Sequence, residues 1–521
     1  MMRITNAMMT SNTKNNININ KLNEDKLNTQ IATGQVISRP SDDPVVAIRA
    51  LRLNTNLSQL TQYYKKNIPD AQAWLNVTET ALKQTDQIFT NIKENLTTGA
   101  SDTNTPTDRQ KILESLKGLR SELYAAGNAD YAERTVFTDY RTQKSLTFLE
   151  TDKDLDWNYK IHETFDVKEL DKINYVSTYD AADAYPEGTV EQNEIYRIRL
   201  SYDNLNETGG TVDFTYYNGT TPTVQNLTVM STAGMTQAQI DAIYKTAATN
   251  DNAAILIPET GEILLGKTVA ENIQTAAQTP GSLPATLDYN KNKWQSGDLR
   301  PEHYFACVQD DPKTTATDDN YYNYDTKEDP VTHTQVPDPT KPNFVNKDME
   351  VEISFNQKIS INTHANEVFT HDIGRDIDEL IRVTQDVVDV DEKVTALEKK
   401  LAAASEADKP DIQKELDAAT KEASLKKDRM QKMFSGALDT FAAYADRNNL
   451  AIANIGSMQQ RLTITKERVA DQLQSFKELA DANINAELTE TSIDFSSAKL
   501  ALEAAQLAAG KIAQQTLLNY L

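Results

Sequence analysis

Apolar residues recur at alternating steps of four and three along the first part of the chain. The frame includes Val46, Leu53, Leu60 and Ile92. A heptad pattern sustained over this length is typical of a long, coiled-coil-like helix rather than of a short globular one. Pro69 lies inside the frame. Because proline removes one helical hydrogen bond, we expect the helix to kink or restart there.

The C-terminal third repeats this pattern. One heptad frame runs from Leu438 to Ala480 and places the polar residue Asn448 at a seam position, which costs stability but fixes the register of paired helices. A last stretch, from Phe495 to Ile512, keeps the three-four spacing with mostly small residues, which suits close approach between helices. Before both frames, residues 383–435 are predicted to form a charged helical hairpin that breaks at residues 407–410.

The middle of the chain has a different pattern. Residues 195–202 alternate apolar and polar side chains, as in a half-buried strand. Residues 254–257 and 263–265 flank a turn that contains Gly261 and predict a hairpin. Residues 310–342 are rich in Asp, Tyr and Pro and are predicted to form an exposed loop. We therefore expect a mainly α protein with a β-rich insertion (α+β), in which the N- and C-terminal regions form long antiparallel, coiled-coil-like helices.

This order of patterns predicts three domains. Residues 1–45 and 481–521 form a terminal helical domain, and residues 46–148 with 363–480, which include the hairpin 383–435, form a bundle of long helices. Residues 149–362 form a β-rich, surface-facing insertion. The chain leaves the helical part once and returns to it, so the two ends are expected to pair.

Composition excludes several classes of function. The 521 residues carry 53 basic and 77 acidic side chains, a net charge of −24, which argues against a nucleic-acid partner because phosphate binding needs a positive surface. The sequence contains no run of about 20 apolar residues, so membrane insertion is not expected. The start, Met1 to Asn6, lacks the apolar core of a cleaved secretion signal. Cys307 is the single cysteine, which excludes an internal disulfide and a thiolate metal cluster.

Candidate chemistry is weak throughout. His162-Glu163 begins like a helical zinc-protease motif, but Asp166 stands where the second histidine would be needed. The acidic residues between Asp310 and Asp329 match no calcium loop. We therefore predict no catalytic residue, no cofactor and no metal site, and expect that the protein is not an enzyme.

Several ordered segments resemble a known family. The N-terminal ones are Arg3-Ile4-Thr5-Asn6, Gln30-Ile31-Ala32-Thr33-Gly34 and Ser41-Asp42-Asp43-Pro44. The others are Thr135 to Thr142, Asn356 to Asn362 and the closing Thr516 to Leu521. Together they resemble the bacterial flagellin superfamily, and among its members most closely those at the junction between hook and filament. Asp139 departs from the family pattern, since glycine is usual at that position.

The resemblance implies a structural part of the bacterial flagellum that joins hook to filament and polymerises through its paired terminal helices. The implied partners are further copies of the chain in a ring or helical lattice, the other hook-associated junction protein, flagellin and an export chaperone. The implied location is extracellular, after export without a cleaved signal peptide. The residues expected to carry assembly are apolar positions of the two terminal segments: Ile4, Met8, Ile19, Leu22, Leu27, Ile31, Phe495, Leu502, Ile512, Leu517, Leu518 and Leu521. Ser41, Asp42, Asp43 and Pro44 are expected to form the turn between the terminal helix and the first long one.

Two alternatives remain open on the sequence. The chain could be a flagellin that forms the filament itself, or a flagellin-like scaffold that carries an adhesive or enzymatic insertion. The first thirty residues contain few apolar positions among many asparagines, which have poor helix propensity. We therefore hypothesise that the terminal segments become ordered only when they pair with each other and with neighbouring copies.

Overall fold

The computed structural model describes residues 6–101, 104–166, 170–177, 190–207, 209–310, 319–321, 326–328, 335–337 and 349–518. Long helices occupy both ends of the chain, and nearly all strands lie between them. The predicted fold class, mainly α with a β-rich insertion, is confirmed.

The N-terminal helices are α1 (Asn6–Thr33), α2 (Pro44–Gln62), α3 (Ile68–Gly99) and α4 (Pro106–Gly127). A π-helical segment, Tyr63–Asn67, joins α2 to α3. Pro69 is the second residue of α3, separated from this segment by Ile68, and the wider turn before it accommodates a residue that lacks the amide hydrogen and whose ring crowds the preceding turn. The predicted interruption is therefore a π-helical turn, and the helical path continues through it.

The C-terminal helices are α7 (Ala365–Val368), α8 (His371–Ala403), α9 (Lys409–Ile484) and α10 (Leu488–Leu518). The break between α8 and α9 confirms the predicted turn of the helical hairpin. The return arm differs from the prediction, because it continues without interruption into the second heptad region. The resulting helix of 76 residues would extend about 110 Å at 1.5 Å per residue.

A ten-stranded sheet forms the centre of the insertion. Its strands follow the order β12-β11-β3-β10-β6-β7-β8-β9-β5-β4, and the pair β7–β8 is parallel while the other recorded pairs are antiparallel. The strands are β3 (Asn158–Phe165), β4 (Asp171–Ser177), β5 (Glu191–Arg199), β6 (Thr211–Asn218), β7 (Thr221–Val229), β8 (Ala254–Ile257), β9 (Glu262–Leu265), β10 (Ala285–Lys291), β11 (Ala306–Asp310) and β12 (Asp319–Tyr321). Two helices, α5 (Gln237–Thr249) and α6 (Lys267–Ala277), interrupt the strands.

Helix α5 covers one face of this sheet. Ile243 and Tyr244 from α5 pack with Ile195 of β5 and Leu264 of β9 in a buried cluster. The predicted hairpin β8–β9 turns at Gly261, which has φ +63. A Cβ at this glycine would lie 2.1 Å from the carbonyl oxygen of Tyr202, so both the backbone conformation and the space require glycine there.

The described residues also form three short two-stranded sheets: β1 (Asp130–Tyr131) with β2 (Arg134–Thr135), β13 (Thr326–Glu328) with β14 (Gln335–Pro337), and β15 (Glu350–Ser354) with β16 (Gln357–Ser360). The interpretation of residues 310–342 as one exposed loop is therefore wrong in part, because β12, β13 and β14 lie within it. Short strands of three residues give too few alternating positions to be recognised in a sequence.

Two compact units divide the chain. The first comprises the described residues of 1–72, 351–359 and 459–521, and the second comprises those of 73–350 and 360–458. Within the first unit, α1 packs along α10, and α2 lies beside the end of α9. Within the second, α4 packs against α8, and Asn448 of α9 donates a 3.0 Å hydrogen bond to the carbonyl oxygen of Leu82 in α3. The expectation that Asn448 lies in a helix seam is confirmed.

Candidate assembly surface

The connections that follow α1 and α9 hold the two terminal helices together. Gly34, with φ +67, ends α1 and allows the chain to turn. The amide of Val36 donates to the carbonyl oxygen of Ile484 at 2.8 Å, and the amide of Ala486 donates to the carbonyl oxygen of Gly34 at 2.9 Å. These backbone bonds fix where α1 and α10 begin their contact, because each helix leaves from the same paired segment.

The segment from Ser41 to Pro44, called the signature turn below, lies between α1 and α2. Oδ1 of Asp43 accepts from the amides of Val45 and Val46 at 3.0 and 3.1 Å, so Asp43 is the N-cap of α2 with Pro44 at its first position. Asp42 accepts from the amide of Arg39 at 2.9 Å, and Ser41 lies within the turn. Asp43 therefore satisfies the backbone at the start of α2, and Asp42 satisfies the backbone just before the turn.

The seam between α1 and α10 contains only part of the predicted assembly residues. Leu27 and Ile31 of α1 and Phe495 of α10 are half-buried, and Leu502 is 8% exposed. Further along α1, the half-buried positions include the polar Thr13 and Asn20 and the apolar Ile17, and Asn20 Nδ2 donates to the carbonyl oxygen of Ala501 at 3.4 Å. The pairing of the two helices is thus apolar near their common base and mixed beyond it, where Leu502 and Ile17 lie among polar side chains.

The other predicted residues of α1 face away from this seam. Met8, Ile19 and Leu22 are 55%, 60% and 69% exposed. Their spacing of eleven and three residues keeps them on one side of the helix. Together they form an outward apolar stripe on α1.

Helix α10 carries a similar stripe, which the sequence analysis missed. Ile493, Leu500 and Leu507 are 63%, 68% and 70% exposed and follow one another at seven-residue steps. The heptad repeat of these three residues was readable in the sequence, but the neighbouring frame through Phe495 and Leu502 was the one predicted to pack. The spacing of apolar residues identifies two heptad series on α10. It does not say which of the two packs against α1.

Five predicted residues lie near or beyond the described ends. Ile4 and Leu521 lie outside the described residues. Ile512, Leu517 and Leu518 lie on α10 near its C-terminal end. Their part in assembly stays a prediction.

The segments that resembled the family meet at Asp139. This residue has φ +53, the left-handed conformation that favours glycine, and is 6% exposed. Its Oδ1 lies 2.6 Å from Nδ1 of His364 and accepts a 3.0 Å bond from Nδ2 of Asn362. The segment that leaves the helical region and the segment that returns to it are therefore joined by one buried carboxylate, which replaces the usual glycine and adds a polar contact.

Buried charges fasten β5 to α8 in the second unit. Nη1 of Arg197 donates to Glu262 at 2.7 Å and to Glu379 at 3.2 Å, and Arg382 donates to Glu262 at 2.7 Å. Burial alone would raise the pKa of the Glu379 carboxyl, but Arg382 and Arg197 hold it at about 2. The cluster is balanced in charge, which is what a structural ion-pair network requires.

Two residues considered for chemistry in the sequence, His162 and Cys307, lie in strands of the large sheet. His162 lies in β3, where its Nδ1 is 2.6 Å from Oδ1 of Asp288 on β10. Cys307 is buried in β11, and burial raises the pKa of its thiol well above the usual value. Within the described ranges, no group of three or more His, Cys, Asp or Glu side chains is placed to hold a metal ion. Likewise, in that part of the chain no helix is both long and apolar enough to cross a membrane.

Comparison with known families gives a match over the N-terminal part of the chain. Residues 4–142 match the family described as the bacterial flagellin N-terminal helical region. The resemblance seen in the sequence is confirmed for this region.

Similar proteins come from flagella. Flagellar hook-associated protein 3 of Salmonella typhimurium is 28% identical over 143 residues, which are 27% of this chain and 45% of that protein. The protein of the same name from Escherichia coli is 25% identical over 205 residues, 38% of this chain and 64% of that protein. A flagellin of Clostridium tyrobutyricum is 24% identical over 188 residues, 35% of this chain and 48% of that protein. The chain thus spans about half to two thirds of the length of these relatives.

Proposed function

We propose that this chain, with its flagellin-type N-terminal region, is a structural component of the bacterial flagellum that joins the hook to the filament. Two relatives carry the name hook-associated protein 3, and the segments around Asp139 and Asn362, which resemble junction members of the family, favour the junction over the filament. The role is structural rather than enzymatic. The protein lies outside the cell, and its partners are further copies of itself, the other hook-associated junction protein and flagellin, after delivery by an export chaperone.

The pair of outward apolar stripes on α1 and α10 carries this proposal. Each stripe exposes three large apolar side chains along a helix whose inner face is already occupied by its partner. Exposed apolar stripes on paired helices mark surfaces that other protein covers. Neighbouring copies would cover them by heterologous contacts, which repeat into rings or helical lattices. Residues 1–45 and 481–521 are accordingly proposed to be the assembly domain.

A pair of substitutions on α10 tests the role of the stripes. Leu500 and Leu507 are 68% and 70% exposed, so covering them should contribute about 1–2 kcal/mol each, or roughly tenfold in the concentration needed for assembly. The double variant Leu500→Ala, Leu507→Ala should therefore be exported but give hooks without filaments when it replaces the natural chain. Leu450→Ala is the matched control, because Leu450 is 63% exposed on α9 in the other unit.

Electron microscopy of the cell surface separates the outcomes. Normal filaments in the double variant, or an equal loss in the Leu450→Ala control, would contradict the role of the stripes. The junction role itself is tested by deleting the chain, which should leave hooks without filaments.

A flagellin that forms the filament is the second candidate, favoured by the flagellin relative. Purified chain that polymerises by itself into long filaments would support it against the junction. An adhesive or enzymatic insertion is tested with the full chain: a specific ligand or substrate whose binding is lost when surface residues of β6 and β7 are changed would add that activity to the scaffold. The proposed ordering of the termini on assembly predicts that protease removes residues 1–35 and 490–521 from the free chain and spares them in the assembled one.

A further inference from the structure

Helix α2 presents a second exposed face that neither α1 nor α10 uses. Val45, Ile48 and Leu51 are 66%, 53% and 65% exposed, while Ala47 and Leu60 on the other side are buried. Steps of three residues keep the exposed side chains within one broad stripe. Three exposed apolar side chains on one helix indicate a surface that another protein covers.

The charge of α2 differs from that of the whole protein. The helix contains two arginines, Arg49 and Arg52, and no acidic residue, in a chain of net charge −24. Both arginines are exposed beside the apolar stripe. In the described residues neither forms an ion pair. Because copies of so acidic a protein repel one another, basic apolar faces are the places where they can approach.

An exposed side of α9 that is rich in acidic residues lies at the matching height. Leu479 is 56% exposed, and Glu478 and Asp481 are exposed about 100° and about 160° from it around the helix, with the basic Lys477 exposed next to Glu478. The two helices run antiparallel: Nδ2 of Asn483 donates to the carbonyl oxygen of Val46 at 3.4 Å, and Nζ of Lys466 lies 6.0 Å from the ring centroid of Tyr64. In this register Leu51 and Arg52 are level with Glu478 and Leu479.

We propose that the α2 face of one copy (Val45, Ile48, Arg49, Leu51, Arg52) docks on the α9 face (Glu478, Leu479, Asp481) of a second copy. This contact rests on the proposed function, since it supplies the lateral neighbour in a ring or lattice. When copies are related by rotation about an axis parallel to the helices, each residue keeps its position along that axis. Two faces at the same position along the axis within one copy therefore meet between neighbouring copies. The arginines then oppose the carboxylates, and Leu479 covers apolar side chains of α2 at the edge of the contact.

Disulfide cross-linking between two variants tests the contact. Thr55 and Ser475 are exposed, lie at matching heights beside the two faces and belong to neither, so Thr55→Cys and Ser475→Cys leave the proposed contact intact. The natural Cys307 is buried, which leaves the introduced thiols as the reactive ones. A mixture of the two full-length variants under mild oxidation should give a cross-linked dimer, whereas each variant alone should stay uncross-linked.

A height control and a charge reversal make the test specific. Thr463→Cys is exposed on α9 about 18 Å along the helix from position 475, so its yield with Thr55→Cys should be at least tenfold lower. Adding Arg49→Glu and Arg52→Glu to the Thr55→Cys variant should abolish the cross-link, and Glu478→Arg with Asp481→Arg on the partner should restore it. The yield should also fall in 0.5 M salt, because ionic screening weakens pairs of exposed charges.

Several results would overturn the contact. The first is the absence of a cross-linked dimer over a concentration series, and the second is an equal cross-linking yield for cysteines at positions 463 and 475. The third is a dimer formed by one variant alone, which would show a two-fold contact. The fourth is a yield that does not change when the charges are reversed. If the contact fails while the Leu500→Ala, Leu507→Ala variant still loses filaments, the junction role stands and the lateral contact lies elsewhere. If deletion of the chain leaves normal filaments, the proposed function fails, whatever the cross-link shows.

Discussion

His303 makes the stability of the second unit depend on pH. Its side chain is 8% exposed, and Nε2 lies 3.0 Å from the carbonyl oxygen of Ser145, which the neutral ring satisfies by donating its hydrogen. Burial, with help from Arg141 and Arg300, lowers the pKa of His303 to about 4, although the adjacent Glu302 acts in the opposite direction. The folded unit therefore holds this histidine neutral.

The sign of the effect follows from proton linkage. The unfolded chain binds a proton on this histidine near pH 6.5, and the folded unit does so only near pH 4. The contribution of His303 to the free energy of unfolding is therefore fully present above pH 6.5. It is lost as the pH falls through the interval between the two pKa values. Over the fall from pH 7 to 4.5, this one group should remove about 2 kcal/mol from the free energy of unfolding.

The substitution His303→Gln should flatten this pH dependence. Glutamine keeps an amide hydrogen for the carbonyl oxygen of Ser145 and does not titrate. The three tryptophans, Trp74, Trp157 and Trp294, all belong to the second unit, so their fluorescence during urea unfolding reports on it.

The assay compares unfolding midpoints at pH 7 and pH 4.5. The natural chain should lose about 2 kcal/mol more than the variant over this interval. Equal losses in the two proteins would show that His303 is not held neutral in the folded unit and would refute the reasoning. A variant that is already unfolded at pH 7 is excluded beforehand by its helical circular dichroism.

Three further substitutions probe packing, capping and buried charge. Gly374→Ala places a Cβ 2.2 Å from Oη of Tyr124 and should destabilise the α4–α8 contact by about 1–3 kcal/mol in urea unfolding; unchanged stability would contradict the close approach. Asp43→Ala should cost α2 about 0.5–2 kcal/mol by loss of its N-cap, measured by thermal loss of helicity, while Asp43→Asn should keep most of it. Asp391→Ala leaves the guanidinium of Arg109, now 2.8 Å from Oδ2, without its buried partner and should cost about 3–5 kcal/mol, and Arg109→Met in the same chain should recover part of this loss.

Periodicity in the sequence predicted the long helices and most strands because it acts over short distances. A heptad of apolar residues needs only the helix itself and one partner, so the frames around Leu60 and Asn448 could be assigned without knowledge of the fold. Alternation along residues 195–202 identified β5 in the same way. The three short strands between residues 319 and 337 gave no such signal.

The candidate surface was predicted only in part, for a reason visible on α1 and α10. The sequence singled out apolar positions such as Ile19 and Leu502 as assembly residues, and it could not say which of them would be covered within the chain. In the structure Leu502 is enclosed in the helix pair while Ile19 is 60% exposed. The backbone bond between Ala486 and Gly34 fixes where the two helices begin their contact, and no periodicity encodes it.

Sequence alone determined the helical ends, the β-rich insertion, the signature turn at Asp43 and the likeness to flagellar proteins, because each depends on residues close together in the chain. Only the tertiary structure decided which apolar faces remain exposed, that Asp139 joins His364 and Asn362, and that Arg197 meets Glu379. These contacts bring together residues far apart in the chain, and their partners are chosen by the packing of whole elements rather than by any local pattern.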